Sequence, residues 1–247
     1  MIFEDFSKRI QDFDDYLTEK LKGIDEIKNG DCLLYRKILY VSFLDSLAAC
    51  IYPNAGNKYR FISLIEIFSH WEDRNRVCML HLSRFCSLNS EPELERLRER
   101  SFSVLKRWQI DADGTATIKA SNNPEFDEVR SLWAKSKSES GLAYQLNDFK
   151  LTSLLYRLRN SLVHQFQSQG RELGPVLPDQ PFYILHKTVG FDDQLVPSHF
   201  ELVYPSEFLS KLCSSILENV VVYLKCGNIN PFPNYYAGDY WLGELNK

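Results

Sequence analysis

With 247 residues the chain is long enough to bury a sizeable core in one large domain or two small ones. Its 33 acidic and 29 basic residues leave a net charge of -4, which excludes broad electrostatic coating of nucleic acid but not a local patch that grips a few phosphates. Aromatic residues reach 13 %, with 16 Phe and 13 Tyr, enough ring surface to fill a core, an apolar partner face, or both.

The opening Met1-Ile2-Phe3-Glu4-Asp5-Phe6 has neither the basic region nor the apolar run of a secretory signal. Phe3, Phe6, Ile10, Phe13, Leu17 and Leu21 recur at three- and four-residue steps and predict an amphipathic helix over 1–22, stopped at Gly23. After the turn Asn29-Gly30-Asp31, a strongly apolar helix is expected from Leu33 to Ile51, ending before Pro53. Phe61, Leu64, Ile65, Phe68 and Trp71 mark the next helix, with a break near Asp73 and a resumption from Val77 to Phe85.

Ser90-Glu91-Pro92-Glu93 reads as a helix start, and that helix should reach Trp108. Residues 109–124 read as a loop or weak hairpin, 125–134 as a short helix, and Lys135 to Ser140 as an exposed connection. A helix over about 145–168 carries the stripe Leu151, Leu155, Leu158, Leu162 and Phe166. Two short strands, Phe182 to Val189 and Phe200 to Tyr204, are expected next, with Pro197 in the loop between them. Pro205-Ser206-Glu207 then opens a last helix to Gly227, and the tail 228–247 reads as an aromatic strap.

The fold expected is therefore mainly all-α: a single helical domain over 1–247. Its core helices fall at about 1–108 and 145–227, with a β insertion at about 180–204 before the last helix. No apolar stretch approaches the roughly 20 residues that span a bilayer, so a cytoplasmic protein without a membrane partner is expected. The six cysteines include no Cys-x-x-Cys pair and read as reduced, buried thiols. Cys78, His81 and Cys86 lie close together but lack a fourth ligand, so no metal and no cofactor is expected. Phosphate-loop, serine-elbow and zinc-helix motifs are absent. Arg96, Arg98, Arg100, Lys106 and Arg107, alternating with Glu93, Glu95 and Glu99, read as a solvated helix face laced with ion pairs.

The segment that can carry chemistry is Tyr156-Arg157-Leu158-Arg159-Asn160-Ser161-Leu162-Val163-His164-Gln165. Helical spacing puts Arg157, Asn160, Ser161 and His164 on one face, opposite the leucines. Asn160 is four residues from His164 and within reach of its ring. Arg159 lies nearer the edge of the stripe, so its side chain must swing round to join His164, or meet the histidine of a second chain. A histidine that titrates near neutrality can take a proton from a ribose hydroxyl or return one to a leaving oxygen. An arginine supplies fixed charge and forked donors for a crowded phosphorane.

Arg159-Asn160-Ser161-Leu162-Val163-His164 resembles the Arg, four to six residues, then His motif of the HEPN superfamily, whose RNase members often carry a polar residue after the Arg. Arg76 and the Arg74-Asn75 pair stand at similar spacings from His81. Their surroundings, Val77, Met79 and Leu80, place His81 in the core, which favours the later copy. The resemblance covers about 145–168 and implies an all-α bundle that pairs as a homodimer, with motif helices facing across a cleft. It also implies metal-independent RNA cleavage by 2′-hydroxyl attack, giving 2′,3′-cyclic phosphate ends, and a role as a toxin or anti-phage effector with an antitoxin or regulatory partner.

On this reading Arg159, Asn160 and His164 are catalytic, and Arg157 and Ser161 support the RNA phosphate. Asp45 is a candidate for the acid some family members place on another helix. Arg157, Arg159 and Arg171, doubled in a dimer, would form a basic pocket. Which of Arg157 and Arg159 faces the phosphate stays open. Phe166 stands where some family toxins carry a tyrosine that a partner modifies, so that mode of control is not expected. The other reading is a catalytically inactive HEPN-like helical module for dimerisation or interaction.

Overall fold

A computed structural model describes residues 5–89, 91–108, 117–133, 144–168, 179–189 and 195–235. Those residues are mainly helical, with one small antiparallel sheet. None of their helices is long and apolar enough to cross a membrane. The chain divides into two compact units, Met1–His70 with Leu209–Lys247, and Trp71–Phe208.

The first unit holds α1 (Ser7–Asp25), α2 (Cys32–Ile51), α3 (Asn57–Phe68) and most of α8 (Ser206–Gly227), which begins at the end of the second unit. Buried Ile10, Phe13, Leu17, Leu21 and Ile24 on α1 repeat at three- and four-residue steps, as the sequence pattern requires. The helix runs past Gly23 to Asp25, because no packing contact there needs a side chain and Ile24 is buried beyond it. Asp31 caps α2 by accepting from the Leu34 amide at 3.3 Å. Of the expected aromatic strap, Phe232 and Tyr235 pack edge-on against Phe13, at 6.2 Å and 5.3 Å between centroids. Residues 236–247 lie outside the described residues.

The second unit holds α4 (Met79–Leu88), α5 (Glu95–Leu105), α6 (Phe126–Arg130), α7 (Leu151–Gln165) and the strands β1 (Thr117–Lys119), β2 (Phe182–Val189) and β3 (Leu195–Val203). Short 3-10 turns at Glu72–Asn75, Pro92–Leu94 and Leu146–Phe149 lead into the helices. Its core gathers Val77, Leu82, Phe85, Leu97, Val129, Trp133 and Phe149. The strand order is β1-β2-β3, both pairs antiparallel, so the expected hairpin gains a third strand from the segment read as a loop or weak hairpin.

The structure departs from two expectations of periodicity. The helix expected over 145–168 is a 3-10 turn followed by α7. Lys150 between them is extended, with ψ 145°, because it bridges to Val77 while the Leu151 amide donates to the Arg76 carbonyl at 3.0 Å. Pro197 lies inside β3 rather than in a loop. The register slips by one residue between His186 and Thr188, opposite that stretch of β3, and a bulge in an edge strand tolerates the missing amide hydrogen.

Arg98 departs from the solvated ladder read from the sequence. Its guanidinium donates to the Cys86 carbonyl at 3.1 Å and the Asn89 carbonyl at 2.8 Å, closing the C-terminal end of α4, and it also pairs with Glu95. Arg100 pairs with Glu128. All six cysteines are free, but only Cys50, Cys78, Cys86 and Cys213 are buried; Cys226 is exposed and Cys32 half-buried.

Candidate functional site

α7 is anchored by Leu151, Leu155, Leu158 and Leu162, all buried, which fixes the rotation of its polar face. On that face Arg159 swings toward the C-terminal end. Its Nη1 donates to the Asn160 Oδ1 at 2.9 Å and stands 3.4 Å from the His164 Nε2. A guanidinium nitrogen only donates, so this contact takes the imidazole in the form whose Nε2 carries the lone pair. The Asn160 amide therefore meets the arginine, where the helical spacing had aimed it at the imidazole. His164 is exposed, while Arg159 and Asn160 are half-buried.

The helix ends at Gln165. Phe166 adopts the left-handed conformation, φ 52° and ψ 35°, and the Gln167 amide turns back to the Ser161 carbonyl at 3.4 Å. An exposed phenyl ring thus stands in a strained position two residues from His164. Ser161 is buried, and its hydroxyl donates to Gln165 at 3.3 Å. Asp45 lies on α2 in the first unit, half-buried. Arg171 lies outside the described residues.

Arg157, two residues earlier, points to a different place. It stands 3.7 Å from the Asp148 carboxylate and over the Tyr144 ring at 5.2 Å. It lines a cavity of about 770 Å³ between α4, α7 and the end of β3. The two arginines of the motif are thus divided between two environments.

The same cavity exposes His81, which the sequence pattern had assigned to the core. Cys78 stands immediately before the first turn of α4 and is fully buried; its sulfur lies 3.0 Å from the His81 Nδ1. The Tyr183 hydroxyl donates to that sulfur at 3.2 Å, and the Asn123 side-chain amide donates to the Tyr183 oxygen at 2.7 Å. Asn123 is itself held, since its Oδ1 accepts from the Met79 amide at 3.0 Å and its Nδ2 also donates to the Ala120 carbonyl at 2.8 Å. The result is a buried polar chain from β2 and the turn before α6 to His81, whose ring opens into the cavity.

Burial pushes the Cys78 thiol up, but the charge and hydrogen bond of the His81 ring, with the Tyr183 hydroxyl, outweigh it and hold the thiol below its ordinary value. Cys78 in turn raises His81 against the opposing effect of burial. Burial pushes Tyr183 well up, so its hydroxyl keeps its proton and donates. His81 is therefore not a core histidine: Val77 and Met79 are buried, but the helix turns position 81 outward. The Cys-x-x-His spacing across a helix start was the sequence signal available, because it puts the side chain at the N-cap position beside that of the third helical residue.

The earlier Arg–His spacing is not a second copy of the α7 site. Arg76 is held by Asp73 at 2.6 Å, by Glu125 at 3.0 Å and by the Asn123 carbonyl at 2.5 Å. Against protein-family models, curated proteins and solved structures, the chain finds no match.

Proposed function

We propose that the protein is a metal-independent endoribonuclease of HEPN type, with Arg159, Asn160 and His164 as its reacting cluster. The observation that carries this reading is the 3.4 Å approach of the Arg159 Nη1 to the His164 Nε2 on one exposed helix end. A scissile phosphodiester seated there meets a fixed positive charge beside an imidazole able to move protons. His164 takes the 2′-hydroxyl proton or returns one to the leaving 5′-oxygen, and two copies across a two-fold seam supply both roles at once. Asn160 fixes the guanidinium, and the exposed Phe166 ring offers a stacking face for a base. Arg157, directed to Asp148 and Tyr144, is left with at most a flanking phosphate. The cellular role that goes with this activity is a toxin or anti-phage effector acting in the cytoplasm, held in check by a partner.

The test is cleavage of a single-stranded RNA in EDTA by wild type, His164→Ala and Arg159→Gln. Wild type should yield 2′,3′-cyclic phosphate ends, and each variant should be slower by roughly 10² or more while keeping its fold and oligomeric state. Inactivity of the wild type, or undiminished cutting by His164→Ala, overturns the reading. The second reading, a non-enzymatic interaction module, draws on large apolar side chains left exposed in the first unit: Tyr59 and Ile67 on α3, Val222 and Tyr223 on α8.

A further inference from the structure

The cavity beside α4 uses neither Arg159 nor His164, and Arg157 is the residue it shares with the ribonuclease reading. Its volume, about 770 Å³, lies in the range that holds a ligand of roughly drug size. Apolar side chains from two helices and the preceding turn, among them Phe85, Phe149, Leu154 and Leu158, supply walls for a ring or a branched chain.

The charges facing the cavity are unevenly committed. Asp148 accepts from the Gln145 amide at 2.9 Å and stands 3.7 Å from Arg157; Glu201 pairs with His199 at 3.2 Å. His81 gives its Nδ1 edge to Cys78, which leaves the Nε2 edge toward the open side. Arg84, one turn further along α4 on the same face, is exposed and makes no hydrogen bond or ion pair among the described residues. Two donors with unspent capacity therefore share a pocket whose carboxylates are already engaged.

We propose that this cavity binds a small organic acid: an apolar ring or chain seated against Phe85, Phe149, Leu154 and Leu158, with its carboxylate or phosphate received by His81 and Arg84. Arg157 closes the polar end, and Asp148 keeps it from collapsing onto the ligand's place. The buried chain from Asn123 through Tyr183 and Cys78 fixes the His81 ring, so Cys78 acts as a positioning residue and needs no access to solvent.

The test uses three probes on the full chain by calorimetric titration: naphthalene-2-carboxylate, its neutral carboxamide, and 2-naphthyl phosphate. At least one of the two anions should bind roughly tenfold more tightly than the carboxamide, the factor expected of one charge-assisted contact. The tighter anion tells which acid group the site prefers. Arg84→Gln, a change at an exposed side chain, should bring that anion close to the carboxamide and leave the carboxamide itself unmoved. Cys78→Ala should weaken the anion alone, and a thermal melt checks that the fold persists. Equal binding of all three probes, binding of none, or a charge preference that survives Arg84→Gln overturns the proposal. RNA cleavage by Arg84→Gln should match wild type, which separates failure here from failure of the ribonuclease reading.

Discussion

The Tyr183 hydroxyl donates to the Cys78 sulfur at 3.2 Å, and through that contact the middle strand of the sheet grips the first turn of α4. Removing the hydroxyl by Tyr183→Phe takes a donor from the sulfur and an acceptor from the Asn123 Nδ2, which keeps the Ala120 carbonyl. The expected cost is about 1–2 kcal/mol, read from the shift in a urea unfolding midpoint at unchanged slope. The Cys78 thiol should rise at the same time, visible as later growth of thiolate absorbance on alkaline titration.

The Cys78–His81 pair should also give stability a pH dependence whose sign is fixed. The folded Cys78 value lies below the ordinary thiol value, so its contribution is present above that ordinary value and is lost as pH falls through the lowered one. The folded His81 value lies above the ordinary imidazole value, so its contribution is complete below that ordinary value and is lost as pH rises through the raised one. Both describe one contact seen from its two ends. The attraction needs the thiolate and the imidazolium charged at once, so the stability difference between wild type and His81→Gln should be smaller at the acid and alkaline extremes than between them. A difference that stays flat across a pH series of urea melts contradicts this.

Arg98 is placed to matter more than its neighbours in the charged helix. Its nitrogens satisfy two carbonyls where α4 ends, and the side chain is only 21 % exposed. Arg98→Ala should cost about 2 kcal/mol, the scale of hydrogen bonds made by a charged donor. Lys106→Ala, lacking such contacts among the described residues, should stay within about 0.5 kcal/mol.

Phe166 offers the opposite sign. Its ring is 67 % exposed and packs little, while its backbone sits at φ 52°. Glycine takes that conformation without a Cβ penalty, so Phe166→Gly should stabilise the fold by about 1 kcal/mol in thermal or urea melts. If the ring stacks a base in the ribonuclease, the same variant should lose affinity for RNA while gaining stability.

Much of the architecture was legible in local pattern. The three- and four-residue spacing of Ile10, Phe13, Leu17 and Leu21 defines α1, and the stripe Leu151, Leu155, Leu158, Leu162 defines α7, because burial of one helix face follows from periodicity alone. The strand from Phe182 was equally plain. What periodicity could not carry were events set by a distant segment. The extended Lys150 depends on Val77, and Pro197 sits in a strand because the register slips opposite it.

The candidate chemistry divides the same way. The sequence by itself put Asn160 and His164 four apart on one helix face and left Arg159 nearer the edge of the leucine stripe; the structure swings the Arg159 side chain round to both. Only the tertiary structure turned Arg157 away to Asp148, brought Tyr183 to Cys78 from 105 residues away and Asn123 to Met79 from 44, and opened a cavity over His81. Those contacts join residues remote in the chain, and no local rule of spacing encodes which remote side chain fills a given place; packing and the satisfaction of buried polar groups decide it.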